Sequence, residues 1–216
     1  MIFGITTAQL LFILKGAGWT LVLSMMGFIG GFVVGLPAAL MLSRGRWWMR
    51  KVAGLYVKLI QGIPLPVVMF LCYFGISIAG FNMSSLVAAA MAMTLYSSAY
   101  LGEIWRGCIE SVPRTQWEAA ECLALNSRQR VLHIVLPQAV KIAIAPTVGF
   151  MVQIIKNSSY AVVIGFFDLT YSAKVVNNST FEPFVVFSIA AFLYFSICFP
   201  LSVFSYRLEK KLSRKK

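Results

Sequence analysis

Residues 118–138 have the sequence EAAECLALNSRQRVLHIVLPQ, the most polar stretch in a chain that is otherwise strongly apolar. Only 12% of the 216 residues are charged and 59% are hydrophobic, whereas soluble domains carry about 25% charged residues. The mean hydropathy of the chain is +0.81. This composition is typical of an integral membrane protein, so the apolar runs on either side of the polar stretch define the fold.

Three long runs contain no charged residue: Gly16–Ser43, Leu59–Gly102 and Pro183–Tyr206. A helix needs about 20 apolar residues to cross a bilayer. The first and third runs therefore supply one span each, the second supplies two with a turn near residues 79–85, and a further apolar run follows Lys141. We expect one all-α transmembrane domain over residues 1–216, with spans at about 19–42, 56–78, 86–105, 141–165 and 183–206.

The positive charge of the chain is concentrated in three segments. The net charge is +12, and its basic residues cluster after the first span, in the loop 106–138 and in the C-terminal tail. With five spans, these segments share one side of the membrane. Because basic loops stay in the cytoplasm, we expect the N-terminus outside and the loop 106–138 inside. The charge is then explained by topology and by attraction to anionic lipid, not by nucleic acid.

Local features predict how some spans pack. Pro64 and Pro66 remove backbone donors and are expected to interrupt the second span. Glu103 and Arg106 are spaced to form an i, i+3 ion pair. Between the fourth and fifth spans, turn-forming residues predict an outer loop. Small residues in the first span permit close helix contact in lipid; they are Gly27, Gly30, Gly31 and Gly35.

The loop 106–138 contains signals for two short helices. Thr115 followed three residues later by Glu118 predicts a capping box at the start of the first. Asn126 or Ser127 is expected to end that helix and to cap a second one over residues 128–135. Leu136 and Pro137 then lead into the fourth span.

The first of these helices offers a surface that a partner could approach closely. Ala119 and Ala120 are expected on its exposed face, where their small side chains leave room for a partner. The alternative is an ordinary basic loop with two capped helices and no partner.

The sequence offers no set of catalytic or metal-binding residues. His133 is the only histidine, and the four cysteines lack metal-ligand spacing. No phosphate-binding glycine loop is present, so a nucleotide would have to be bound by another chain. We therefore expect no enzyme activity, metal or cofactor. An intramembrane hydrolase using His133, and an ATP-independent channel or secondary carrier, are the competing interpretations.

Glu118-Ala119-Ala120, with Ile134, Leu136 and Pro137 at matching intervals, resembles the cytoplasmic EAA motif of bacterial ABC importer permeases. Ala124 stands where that family usually has glycine. Since alanine disfavours a positive φ, we expect it to extend the helix. The segments QGIPLPVVMF and IIKNSSYAVVIGFFDL are similar to segments of the polar amino-acid subfamily.

The resemblance implies a non-catalytic permease subunit of a type I ABC importer in the bacterial inner membrane, with coupling helices between the third and fourth spans. It also implies two ATP-binding subunits, a second permease subunit, identical or homologous, and an extracytoplasmic amino-acid-binding protein. The residues assigned to ATPase coupling are Thr115, Glu118, Ala119, Ala120, Ala124, Ile134, Leu136 and Pro137.

Lys156 is placed deep in the fourth span, where a central lysine costs about 2.5–3.5 kcal/mol on insertion scales. We expect a cluster of polar residues there to line the substrate pathway or its outer gate, with Lys156 attracting a substrate carboxylate. The alternatives are an internal pair with Asp168 or Glu182, or a side chain that reaches outward to the headgroups. The cluster consists of Gln153, Lys156, Asn157, Ser158 and Ser159.

Overall fold

The chain folds into helices that enclose an apolar core, as seen in a computed structural model that describes residues 5–78 and 80–213. Residue 79 of the predicted turn and residues 214–216 of the basic tail lie outside that description. The helices are α1 (Thr7–Arg44), α2 (Trp47–Gly62), α3 (Leu65–Ile78), α4 (Ser85–Glu110), α5 (Arg114–Cys122), α6 (Ser127–Ile164), α7 (Leu169–Thr180) and α8 (Pro183–Ser213).

Four of these helices, α1, α4, α6 and α8, are each long and apolar enough to cross a membrane. The pair α2 and α3 meets the same criterion when it is taken as one bent span, which brings the number to five. The expected all-α membrane fold is thus confirmed. The exact span limits stay a prediction, because several helices extend beyond the predicted limits and a helix end does not mark the membrane boundary.

The first helix begins well before the predicted span. The Thr6 hydroxyl accepts a bond from Gln9 N at 3.3 Å, and the Gln9 side chain accepts one from Thr6 N at 2.9 Å. This capping box starts α1 at Thr7, whereas the expected span began near residue 19. Counting apolar residues could not reveal this start, because the first turns of α1 contain polar residues and the exposed Lys15.

The glycines of α1 permit the close contact that the sequence predicted, and α4 is the partner. A Cβ atom built on Gly31 would lie 2.4 Å from Ser97 Cβ, and one built on Gly27 would lie 2.7 Å from Met93 Cβ. Side chains this close cannot coexist, so glycine is what lets α1 and α4 pack backbone to backbone. The main apolar core is built on this contact, with further residues from α3 and α6.

The second span is broken where the prolines predicted a break. The axes of α2 and α3 meet at an angle of 102°. The Pro64 carbonyl accepts bonds from Val67 N at 2.9 Å and Val68 N at 3.2 Å, which starts α3. At the end of α2, Ile63 N donates to the Ile60 carbonyl at 3.4 Å. No bond to the carbonyls of the two residues in between, at 61 and 62, is recorded from the described part of the chain.

The predicted outer loop between the fourth and fifth spans holds a 12-residue helix, α7, which includes the turn-forming residues. The Asp168 side chain caps it by accepting a bond from Tyr171 N at 2.7 Å. Leu169 N donates to the Thr20 hydroxyl at 3.1 Å and so attaches α7 to α1. The helix continues past the turn-forming residues because its apolar face packs against α1 and α8.

Candidate functional site

The polar loop 106–138 contains one separate short helix, α5. Pro113 occupies its N-cap position and no side-chain hydrogen bond caps it. The predicted capping box at Thr115 is therefore wrong, because the N-cap is Pro113, two residues earlier, and Thr115 lies inside the first turn. Glu118 instead lies 3.6 Å from Arg114 in an exposed i, i+4 pair. Thr115 and Glu118 are both exposed.

The end of α5 is a Schellman motif built around an alanine. Ala124 has φ of +54°, Ala124 N donates to the Glu121 carbonyl at 2.9 Å, and Leu125 N donates to the Ala120 carbonyl at 3.3 Å. This pair of bonds defines the motif, whose left-handed residue is usually glycine. The expectation that Ala124 extends the helix is wrong. The two backbone hydrogen bonds stabilise the turn by more than the left-handed conformation of the alanine destabilises it.

Replacing Ala124 with glycine should stabilise the loop. A left-handed conformation costs an L-residue about 1–2 kcal/mol, and glycine removes this cost. Part of the stabilisation is offset because glycine has a larger conformational entropy in the unfolded state. We expect Ala124→Gly to slow hydrogen exchange at Ala124 and Leu125 about threefold, which corresponds to a net gain of about 0.6 kcal/mol. Ala119→Gly, in the interior of the same helix, is the matched control and should speed exchange instead. Equal changes in both variants would contradict the assigned strain.

Helix α5 is attached to the start of α6 on one side. Ala120 is only 2% exposed, so the expectation that Ala119 and Ala120 both face outward is wrong for Ala120. Its neighbour Ala119 is exposed. Arg130 on α6 forms an ion pair with Glu121 at 3.0 Å. The face of α5 that carries Ala120 is therefore buried, and the face that carries Ala119 is exposed.

The expected second short helix is the first part of α6. The Asn126 side chain accepts a bond from Gln129 N at 3.0 Å and begins the helix, as predicted. The helix then continues through Leu136 and Pro137 into the membrane span. Pro137 cannot donate to the His133 carbonyl, and a π-helical turn over Arg130–Val135 accommodates it without a break. The polar loop therefore has one coupling helix and one long helix.

Three of the sequence-predicted residues lie in this transition from the loop to the span. Ile134 and Leu136 are half-buried and Pro137 is exposed. Val135 between them is fully buried, and it packs with Ile109 and Val112 at the end of α4. The transition is thus held by an apolar cluster, and a displacement of α5 would be transmitted to α6 through it.

His133 does not take part in a catalytic arrangement among the described residues. Its ring is exposed, and Nδ1 lies 3.2 Å from the Gln129 carbonyl oxygen one turn earlier. No group of three metal-ligating residues is found in the part of the chain that the structure covers. The hydrolase interpretation therefore has no geometry to support it.

The predicted pathway residues are brought together only in part. Gln153 Nε2 donates to Asn157 Oδ1 at 3.1 Å, and Lys156 is exposed on the same helix. Ser158 is fully buried and its hydroxyl donates to the Ile155 carbonyl at 2.8 Å. The Ser159 hydroxyl likewise donates to the Lys156 carbonyl at 2.7 Å. The two serine hydroxyls bond to carbonyls of their own helix. Gln153 and Lys156 are exposed, whereas Asn157 is buried at 5% exposure.

Neither internal partner considered for Lys156 pairs with it. The Asp168 carboxylate accepts bonds from Tyr171 N and, at 3.4 Å, from the Tyr194 hydroxyl. Burial raises the pKa of Asp168 to about 6, and these hydrogen bonds act against that shift. Within residues 5–78 and 80–213, no ion pair of Lys156 with Asp168 or Glu182 is recorded. Lys156 is exposed on the surface of α6.

An aromatic group beside these polar residues was missed in the sequence. The rings of Tyr96 and Tyr100 on α4 have centroids 4.4 Å apart, and Tyr100 stacks on Phe150 of α6 at 5.7 Å. Asn157 lies beside the Tyr96 hydroxyl. The i, i+4 spacing of the two tyrosines within an apolar span was the available signal. These aromatic and amide side chains of α4 and α6 thus form one cluster, partly buried and with Gln153 exposed, here termed the α4–α6 face.

The chain matches a family model described as "Binding-protein-dependent transport system inner membrane component" over residues 31–214. The chain belongs to this family. The assignment to the ABC importer permeases, made from the polar loop, is thereby confirmed. As a permease, the chain is a non-catalytic, multi-pass component of the bacterial inner membrane that works with ATPase and substrate-binding partners.

Curated relatives of this permease cover nearly the whole chain. It is 36% identical to the probable amino-acid ABC transporter permease protein YckA of Bacillus subtilis, over 93% of this chain and 88% of that one. It is also 36% identical to the probable glutamine ABC transporter permease protein GlnM of the same organism, over 90% of each chain. The glutamine transport system permease protein GlnP of Escherichia coli is 30% identical over 93% of this permease and 92% of GlnP.

Solved structures show the same fold. A chain of an amino acid ABC transporter crystallised with histidines has a TM-score of 0.88 at 30% identity, covering 93% of this permease and 94% of that chain. A chain of the inward-facing MetNI methionine ABC transporter has a TM-score of 0.78 at 16% identity, over 96% and 99% of the two chains. The type I importer fold of the permease is therefore established.

Proposed function

We propose that this permease translocates a polar amino acid, received from an extracytoplasmic binding protein, and that ATPase subunits drive it through α5. The observation that carries the proposal is the two-sided character of α5: Glu118 and Ala119 are exposed, whereas Ala120 is buried and its neighbour Glu121 pairs with Arg130 of α6. A helix with one attached face and one small, exposed face suits docking into a cleft of a partner. The relatives described as amino-acid and glutamine permeases support an amino acid as the substrate class.

The mechanism that these contacts support is alternating access. Nucleotide binding would close the ATPase dimer and displace α5 as a rigid body, because its C-terminus is fixed by the Schellman motif at Ala124. The ion pair of Glu121 with Arg130 and the apolar cluster around Val135 would carry that displacement into α6. Since α6 also bears Gln153 and Asn157, movement of α5 would reshape the α4–α6 face.

The proposed assembly contains two ATP-binding subunits and a second permease subunit, identical or homologous. In the proposed orientation, the N-terminus lies outside and α5 lies in the cytoplasm, as the positive-inside distribution favours. The coupling assignment retains Thr115, Glu118 and Ala119 as exposed residues of α5. Its other members act as supports within the loop and the start of α6; they are Ala120, Ala124, Ile134, Leu136 and Pro137.

We assign the substrate pathway to the α4–α6 face. Gln153 would form hydrogen bonds with the substrate and Lys156 would attract its carboxylate, while the buried Asn157 would orient the Gln153 side chain. Ser158 and Ser159 would shape this region through the backbone, since their hydroxyls bond to carbonyls of α6. A polar cluster in a span costs too much to face lipid, which favours a water-accessible location.

Replacing Lys156 with methionine should reduce transport about tenfold in the reconstituted complex at saturating liganded binding protein. A hydrogen bond to a charged group is worth about 1.5–3 kcal/mol, and 1.4 kcal/mol corresponds to a factor of ten. The matched control is Lys15→Met, which removes the same charge from an exposed position of α1. Normal transport by Lys156→Met would remove Lys156 from the pathway.

The proposed function is tested by ATP hydrolysis of the purified complex in proteoliposomes, with each candidate binding protein added in its liganded and unliganded forms. We expect hydrolysis to rise with the liganded form of a binding protein for a polar amino acid. Uptake of that amino acid should depend on ATP. Uptake at the full rate by the permease alone, without ATPase subunits, would overturn the proposal in favour of a channel or secondary carrier.

A further inference from the structure

Helix α5 has a second attachment, to the first membrane span. Arg44 is the last residue of α1, and its guanidinium carbon lies 3.5 Å from the centre of the Trp117 ring on α5. Trp117 also packs against the apolar cluster of Ile109, Val112, Val135 and Ala139. Trp117 thus connects α5 both to this apolar cluster and to the cytoplasmic end of α1.

The contact between Arg44 and Trp117 is a cation–π interaction. At 3.5 Å the planar guanidinium lies within stacking distance of the indole, and Trp is the best aromatic partner for a cation. Arg130, Arg50 and Glu110 are near enough to interact electrostatically with Arg44. Arg130 and Glu110 are already paired, with Glu121 and Arg106 respectively. Trp117 is therefore the direct partner of the Arg44 side chain.

The backbone holds Arg44 at a sharp corner. Gly45 N donates to the Met41 carbonyl at 3.0 Å, which ends α1, and α2 begins at Trp47. A Cβ atom on Gly45 would lie 2.3 Å from that carbonyl oxygen, so the corner depends on glycine. The position of Arg44 is thus fixed relative to α1, and a movement of Trp117 would pull on the helix rather than on a flexible loop.

At its other end, α1 contacts the outer helix α7. The Thr20 hydroxyl accepts a bond from Leu169 N at 3.1 Å. A Cβ atom on Gly16 would lie 2.2 Å from the Ser172 hydroxyl, which shows how closely the two helices approach. One continuous helix of 38 residues therefore contacts α5 on the cytoplasmic side and α7 on the opposite side.

We propose that Arg44 is a positioning residue that fixes the end of α1 to the coupling helix through Trp117, so that α1 moves with α5 and carries that movement to α7. The inference rests on the proposed function of α5. It adds a second route of coupling besides α6, and this route leads to the outer surface. Substrate-loaded binding protein and ATPase would then communicate through α1 as well as through the α4–α6 face.

The test uses Arg44→Met in the complete complex, with substrate-stimulated ATP hydrolysis and the number of substrates transported per ATP as readouts. We expect basal hydrolysis to persist and the transport ratio to fall about three- to tenfold, the range that a partly desolvated cation–π contact supports. Arg44→Lys should recover part of the ratio, because lysine keeps the charge but not the planar fork. Arg46→Met, at an exposed position two residues further along, should transport normally.

A double mutant separates positioning from a general effect of charge. Trp117→Leu should lower the ratio by itself, and adding Arg44→Met in that background should cause no further loss, because the contact is already absent. Additive losses, or a normal ratio in both Arg44→Met and Arg44→Lys, would overturn the proposal. If the unaltered complex showed no ATP-dependent transport at all, the proposed function itself would fail, which is a different outcome.

Discussion

Replacing Ala119 with arginine is expected to reduce ATP-driven transport at least about tenfold, with normal membrane insertion and normal amounts of the permease. Ala119 lies on the exposed face of α5, where a methyl group leaves room for a partner surface. A long charged side chain there would overpack the docking contact, which typically costs about 1–3 kcal/mol. The measurement is substrate uptake per ATP hydrolysed in proteoliposomes, together with the amount of ATPase subunit that copurifies.

Two neighbouring variants serve as controls for Ala119→Arg. Ala119→Ser adds one small atom and should transport nearly normally. Ala120→Arg places the same side chain at a position that is 2% exposed, so it should lower the yield of folded permease rather than uncouple it. Normal transport by Ala119→Arg would show that partners do not dock on this face of α5.

Replacing Gly31 with alanine is expected to destabilise the membrane domain by about 1–3 kcal/mol, the usual cost of overpacking. The added Cβ atom would lie 2.4 Å from Ser97 Cβ and 3.1 Å from the Ser97 carbonyl carbon. Because the second of these atoms belongs to the backbone, no side-chain rotation relieves the clash and α1 must move away from α4. Thermal unfolding of the detergent-purified permease measures the effect.

Gly18→Ala is the matched control on the same helix. Beyond its own stretch of helix, a Cβ atom at residue 18 meets no atom of the described residues within 4 Å, and alanine is the better helix former by about 1 kcal/mol. We therefore expect opposite signs: a lower melting temperature for Gly31→Ala, and an unchanged or slightly higher one for Gly18→Ala. Equal melting temperatures would mean that the contact between α1 and α4 yields more easily than its geometry indicates.

The membrane fold could be predicted because burial in lipid leaves a strong signal in composition. Charge-free runs located the apolar helices, and Pro64 correctly marked a break, since a proline has the same effect on a helix wherever it occurs. The glycines of α1 predicted close packing but not its partner. Which helix fills the space beside Gly31 depends on tertiary arrangement, and the sequence carries no local signal for it.

The polar loop was predicted less well, because its details depend on competition between local sequence preferences and tertiary contacts. Thr115 satisfied the capping rule, yet Pro113 sets the start of α5. Alanine propensity favoured a longer helix at Ala124, yet two backbone bonds impose a left-handed turn there. The burial of Ala120 and the contact of Arg44 with Trp117 follow from where α6 and α1 end in space, which residue spacing within the loop does not encode.

The bend between α2 and α3 places backbone carbonyls at a depth where hydrocarbon cannot solvate them. Tyr56, less than two turns before the bend, bonds to Leu95 and Ser98 near the middle of α4, and the bend itself interrupts a candidate membrane span. A carbonyl left dry there costs several kcal/mol. The carbonyl oxygens of Gln61 and Gly62 therefore need water or a neighbouring polypeptide as a hydrogen-bond donor. Lipid around a single copy of this chain would not supply one.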